Sequence, residues 1–274
     1  MEINLSIDPN LVRKILTEFI RSEITRVGYS HAVVNLSGGI DSAVSLVLAA
    51  EALGPQNVLA VRLPYKSSSA DSLEHAQLLV DQLGCASVTI PITEMADPLI
   101  VREPGMSDMR KGNIMARARM IVAYDQSEAF KGLVVGTGNK TEILLGYTTL
   151  YGDSACALNP IGDLYKTQVR QLARAINIPE PIITKPPSAD LWAGQTDEGE
   201  LGFTYEEVDK LLFLLVDQRY RPEECVEAGF DEKFVRKVVD RIRKNQFKRV
   251  LPLIAKLSSR TVGYDFLYLR DWGT

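Results

Sequence analysis

A chain of 274 residues, 46% hydrophobic and 24% charged, can bury a full core as one large domain or as a domain with a small appendage. Its net charge of −4 and pI near 5.4 argue against a general nucleic-acid binder, which carries a basic excess. Cys85, Cys156 and Cys225 are widely spaced with no Cys-x-x-Cys, and no apolar run approaches the roughly 18 residues of a membrane span, so a reduced cytoplasmic protein without disulfide frame, zinc knuckle, export signal or anchor is expected.

Asp8-Pro9 can open a helix whose Leu11, Ile15, Phe19, Ile20 and Ile24 form an apolar stripe suited to packing on a sheet. His31 to Leu36 is a short β-branched run of the kind that forms a buried strand. It breaks at Ser37-Gly38-Gly39, and the apolar run from Ala43 to Leu53 follows as a helix. Gly38 and Gly39 lack a Cβ and let the backbone N–H groups curl around an anion. Ile40-Asp41-Ser42 falls at the helix start, where free N–H groups favour phosphate. An acid stands where a Walker loop has lysine, which suits holding Mg²⁺ against phosphates.

A second strand is expected at 57–63, a helix at 71–83, and a third strand at 86–90. Residues 91–110, with Pro98, Pro104 and Gly105, lack a clear period and read as a partly mobile surface stretch where a lid could sit. A helix follows over 111–124, in which Arg117 and Arg119 interrupt the apolar positions, and 132–136 forms the fourth strand. The alternation implies an α/β fold, a doubly wound parallel sheet of about five strands with helices on both faces. Ligands of such sheets bind at the strands' carboxyl ends, so the loops after the first, second and fourth strands should meet. Asp41 and Glu142, at the ends of the first and fourth strands, are placed to share Mg²⁺. Lys166, near a helix start after Pro160, is placed to reach phosphate, and Ser42, Thr137 and Ser188 offer hydroxyls and amides to further phosphate oxygens. Beyond 204, helices at 205–216 and 231–243 carry stripes that fit core or dimer interface, and the aromatic run from Gly263 reads as a tail docked on its own domain or a partner.

Ser37-Gly38-Gly39-Ile40-Asp41-Ser42 resembles the pyrophosphate loop of the N-type ATP pyrophosphatases, adenine nucleotide α-hydrolase-like enzymes that include NAD, GMP and asparagine synthetases and tRNA-thiolating enzymes. The loop alone does not choose among them. Tyr151-Gly152-Asp153, the run from Asn159 to Lys166, Lys185-Pro-Pro-Ser-Ala-Asp190 and Gln195-Thr-Asp-Glu198 occur in an order similar to the NAD synthetase family, over about residues 8–252.

That resemblance implies ATP-dependent amidation of deamido-NAD by ammonia, giving NAD, AMP and pyrophosphate through an adenylate. It makes 37–42 the ATP loop, with Asp41 and Glu142 as Mg²⁺ ligands and Thr137, Lys166 and Ser188 as ATP contacts. Arg62, Leu63, Pro64 and Tyr65 would border the adenosine. Arg117, Asp153, Phe247 and Lys248 would contact deamido-NAD, Asp153 lying near the nicotinate. Asp41, Asp153 and Lys166 are the expected catalytic residues. Family members are homodimers whose substrate site uses both subunits. Leu150 replaces a usual lysine, Ser154-Ala155 a usual Gly-Gly, and Phe247 a usual histidine, which bears on substrate affinity rather than on the phosphate chemistry. Glutamine-using forms carry a nitrilase-like domain, for which 274 residues leave no room. A single domain with a helical C-terminal part from about 204, using ammonia directly unless a separate glutaminase subunit supplies it, is therefore expected.

Overall fold

The computed structural model describes residues 3–188 and 195–266. Four parallel strands, β1 (His31–Asn35), β2 (Val58–Arg62), β3 (Ala86–Thr89) and β4 (Gly132–Val135), pair in the order β3-β2-β1-β4. Central β1 pairs Val34 with Ala60 on one side and Val33 with Val134 on the other. The fifth strand position is taken by one residue: Leu158 forms an isolated parallel bridge with Val135, and its carbonyl accepts the Gly136 N–H at 2.8 Å. Pro160 follows two residues later and cannot donate to a ladder, which limits the pairing.

Side-chain alternation divides β1 between two cores. Ala32 and Val34 face α1 (Pro9–Arg26), α2 (Ile40–Leu53) and α3 (Ala70–Leu83), while Val33 faces α4 (Thr93–Ile100) and α5 (Asp108–Phe130). Asp8 caps α1 by accepting the Asn10 and Leu11 N–H groups, at 3.0 and 3.2 Å. Only part of the expected stripe packs: Ile20 and Ile24 are fully buried, whereas Leu11, Ile15 and Phe19 are exposed, because α1 lies over α2 rather than flat on the sheet. The segment expected to be mobile holds α4, and Ala96 of that helix and Ile92 just before it are buried in the second core. Pro98 inside α4 had hidden its period.

After β4 come α6 (Lys140–Leu145), α7 (Lys166–Ala175), α8 (Glu180–Thr184), α9 (Asp197–Leu201), α10 (Tyr205–Leu212), α11 (Pro222–Glu227) and α12 (Glu232–Lys244). A π-helical turn, Phe213–Asp217, extends α10. A third apolar cluster joins Leu145 and Tyr165 to Val208, Leu211, Val235 and Val238.

Short α6 depends on this cluster. Six residues leave most of its carbonyls without helical partners. Arg249 donates to Leu144 O at 2.6 Å and Ile143 O at 3.3 Å, Arg241 and Asn245 donate to Leu145 O, and Lys248 donates to Gly146 O and Thr148 O, both at 2.7 Å. These cations also meet the negative end of the helix. Arg249→Ala should therefore cost about 1–3 kcal/mol, read as a thermal midpoint lowered by several degrees; an unchanged midpoint would show that water replaces the guanidinium without loss.

Candidate active site

The sheet's direction of winding changes between β1 and β4, and ligand crevices of open α/β sheets form at such a point. Here the loops after β1, β2 and β4 enclose a cleft of about 420 Å³, with Ser37, Pro64 and Thr137 on its walls. The expected meeting of these three loops is realised.

Gly38 has φ +80°, and a Cβ there would stand 2.1 Å from Ser72 O, so the loop lies directly against α3. Ser42, 3% exposed, staples the loop: its hydroxyl donates to Gly39 O at 2.9 Å and accepts the Ser37 N–H at 3.2 Å. That hydroxyl shapes the loop before any phosphate arrives.

Asp41 enters from the first turn of α2, Glu142 from α6 and Lys166 from the first residue of α7. The Lys166 ammonium, on a residue 2% exposed, contacts the Asp41 carboxylate and lies 3.4 Å from Glu142 Oε1. Asn139 fixes the two acids: its amide donates to Asp41 Oδ1 at 3.0 Å, its N–H donates to Glu142 Oε2 at 3.2 Å, and its carbonyl oxygen Oδ1 accepts the Glu142 N–H at 3.0 Å. This capping box was legible as Asn139-x-x-Glu142, a signal that assigning Glu142 to metal alone passed over.

Charge is crowded here. Burial, then the neighbouring Asp41 charge, pushes the Glu142 carboxyl up to about 8. Burial lowers the tendency of Lys166 to hold its proton, but Asp41 and Glu142 outweigh it and raise its pKa. Asp197, 4% exposed, is raised by burial and accepts hydrogen bonds from Tyr205 at 3.0 Å and Tyr147 at 3.2 Å. Sequence reading quoted Asp197 only as part of a motif and gave it no role.

Of the other expected residues, Gly39, Ile40, Leu63, Thr137, Asp153, Ser188 and Lys248 also line the cleft. Gly38 supports the loop from behind. Arg62 points elsewhere, its guanidinium donating to Gln77 at 2.5 Å and Ser87 at 3.3 Å. The Tyr65 hydroxyl donates to Asp97 at 2.5 Å. Arg117 donates to Leu150 O at 3.2–3.3 Å and Phe247 is 57% exposed; neither lines the cleft within one chain. Arg119, unassigned by the sequence, does line it and donates to Leu63 O at 3.0 Å. Asp153 closes its own turn, accepting the Thr149 N–H at 2.8 Å and the Thr148 hydroxyl. Residues 189–194, including Asp190 of the quoted motif, and the tail beyond 266 lie outside the described residues.

A parallel sheet with a Ser-Gly-Gly-Ile-Asp-Ser loop at its switch point, backed by two acids and a lysine, defines the adenine nucleotide α-hydrolase-like class. Comparison narrows it further. A sequence model of the NAD synthase family matches residues 12–252, and the chain belongs to that family. It is 53% identical over 269 residues to the NH₃-dependent NAD⁺ synthetase of Chlorobaculum tepidum, covering 98% of this chain and 97% of that one. It is 55% identical to the namesake from Trichlorobacter lovleyi, covering 98% of each. Among solved structures, NMN synthetase from Francisella tularensis aligns with TM-score 0.82 and 30% identity, over 92% of this chain and 100% of that one. The NH₃-dependent NAD synthetase of Campylobacter jejuni aligns with TM-score 0.78 and 33% identity, over 91% and 100%.

Proposed function

We infer that this chain is a ligase that amidates deamido-NAD with ammonia to form NAD, cleaving ATP to AMP and pyrophosphate. The carrying observation is Lys166 held between Asp41 and Glu142 beside the phosphate loop, in a chain more than half identical to NH₃-dependent NAD⁺ synthetases along nearly their whole length.

A carboxylate does not condense with ammonia at neutral pH without a better leaving group. The nicotinate carboxylate attacks the α-phosphorus of ATP, the bond to the bridging oxygen breaks, and pyrophosphate leaves. Lys166 stabilises the charge growing on that leaving group. The N–H groups of the 37–42 loop and the α2 N-terminus orient the phosphates. Ammonia then attacks the acyl carbon of the adenylate, and AMP departs with the bonding pair.

Two acids side by side, the Glu142 carboxyl raised by burial and then by the Asp41 charge, suit Mg²⁺, which binds one or two acids and completes its shell with phosphate oxygens and water. Asp41 and Glu142 would hold it. When bound, it would neutralise phosphate charge and polarise the α-phosphorus. Glu142→Gln keeps the cap acceptor and removes the acid that would ionise on binding the ion. It should raise the Mg²⁺ concentration for half-maximal rate and lower kcat about 10- to 100-fold, the order of one lost electrostatic contact; an unaltered Mg²⁺ titration would exclude Glu142 as a ligand.

Asp153 we assign to positioning nicotinate or ammonium. Asp153→Ala should depress amidation far more than ATP binding, and equal losses in both would remove it from that role. Arg117 and Phe247, on the outer surface of the chain, suit contacts in a homodimer whose substrate site draws on both subunits. Lys248 suits the same substrate from inside the cleft, and Thr137 and Ser188 suit ATP. We assign the chain one domain acting in the cytoplasm; among the described residues no helix is long and apolar enough to cross a membrane.

The test is product analysis with ATP, Mg²⁺ and either deamido-NAD or its deamidated mononucleotide half, supplied with ammonium or glutamine. NAD and AMP from deamido-NAD and ammonium alone support the reading. The structural likeness to an NMN synthetase favours the second acceptor as the alternative; amidation of the mononucleotide alone would replace the first reading with that one.

A further inference from the structure

A buried acid outside the cleft is hydrogen-bonded to the neighbours in sequence of two residues inside it, Glu142 and Lys166. Asp209 of α10 is fully buried in the third core, among Val208, Leu211 and Leu212. Its Oδ1 accepts the Thr141 hydroxyl at 2.5 Å, and its Oδ2 accepts the Thr167 N–H at 2.8 Å. Thr141 in turn accepts the Lys166 N–H at 3.0 Å. Thr141 directly precedes Glu142, and Thr167 directly follows Lys166. One carboxylate therefore ties the first turn of α6 to the first turn of α7.

A second acid repeats the grip further out. Asp217, in the π-helical turn after α10, accepts Lys140 of α6 at 2.8 Å and the hydroxyl of Tyr165, the residue before α7, at 2.5 Å. With the C-terminal cations on the far end of α6, the helix bearing Glu142 is held at both ends by the third core.

We propose that Asp209 is a positioning residue that sets the approach of Lys166 to Asp41 and Glu142, so that the C-terminal helices fix the geometry of phosphate transfer without touching substrate. Asp209 does not line the cleft. A carboxylate is needed because two separate donors must be accepted at once; an asparagine offers one acceptor oxygen and would turn an N–H toward the other donor. Burial raises the Asp209 pKa, and the Thr141 and Thr167 bonds oppose that rise.

The proposal rests on the amidation reading, and its test separates the two. In Asp209→Asn, kcat for NAD formation should fall about 100-fold, the expected result of displacing a catalytic group by about 1 Å, with KM for ATP changed less than about threefold. Thr141→Val should reproduce that split, Thr141→Ser should restore the rate, and the double variant should be no slower than the worse single. A crystal structure of Asp209→Asn should show Lys166 Nζ moved away from Glu142. Losses that merely follow the folded fraction, additive losses, or an unmoved Lys166 would overturn the proposal. If the wild type forms no NAD, the amidation reading fails alone, and the position of Lys166 in the variant still decides the role of Asp209.

Discussion

Replacing Lys166 by methionine should lower the rate of NAD formation by about 10²- to 10³-fold, the cost of removing one preorganised charge from a developing anion. The lysine is 2% exposed, so methionine fills nearly the same space and the loss reports charge rather than a cavity. The substitution leaves Asp41 and Glu142 facing each other without their cation. A buried acid stripped of its partner is ordinarily costly. Glu142 escapes most of that cost, because burial and Asp41 have already brought its carboxyl to about 8 and it can take up a proton. Activity should therefore fall far more than thermal stability. A rate within tenfold of wild type would mean that the ammonium stabilises the resting acids and not the leaving pyrophosphate.

Gly38→Ala should be the most damaging single methyl group in the phosphate loop. At φ +80° an alanine pays the left-handed backbone penalty, and its Cβ would fall 2.1 Å from Ser72 O and 2.8 Å from Ser72 C. Both are backbone atoms of α3, so no flexible side chain can move aside. The loop or the start of α3 must shift, at a cost of about 2–4 kcal/mol, and ATP affinity should drop about 100-fold or more, the equivalent of about 3 kcal/mol. Gly39→Ala is the internal contrast. Gly39 has φ −93°, and a Cβ there meets only Ser37 Oγ, at 3.4 Å. Its thermal midpoint should match wild type, so any loss of ATP binding in that variant reports phosphate approach alone. Calorimetric ATP titration and thermal unfolding of both variants distinguish the cases; similar stabilities would show that the Gly38 contact is relieved by small shifts.

Local chemistry determined a large part of this protein. Alternating β-branched runs and helical stripes gave the strands, the parallel winding and the joining of three loops, because a parallel strand needs a crossover and ligands gather at carboxyl ends. Loop, acids and lysine could be singled out because each sits in a run of marked residues, Ser-Gly-Gly-Ile-Asp-Ser for the loop and the stretch from Asn159 for Lys166, whereas the lysine by its type alone would read equally well as a surface residue. The fifth strand shrank to a bridge at Leu158, and residues 93–100 coiled into α4, because those outcomes depend on which surfaces remain for them to cover. Leu11, Ile15 and Phe19 share the helical period of Ile20 and Ile24, yet only the latter pair meets α2 closely enough to be buried.

Distance in the chain decided the rest. Asp41 and Lys166 are 125 residues apart, and nothing local to either sets their contact. Asn139 couples the two acids through one side chain, and Arg62 and Arg119, alike in sequence, are separated by which carbonyl or amide each can reach: Arg119 turns to Leu63 at the cleft, Arg62 to Gln77 behind it. The helical stripe expected over 205–216 did not single out Asp209. Only the packed fold gives it two donors from different helices, since a buried carboxylate persists where the chain brings it enough N–H and O–H groups to replace water.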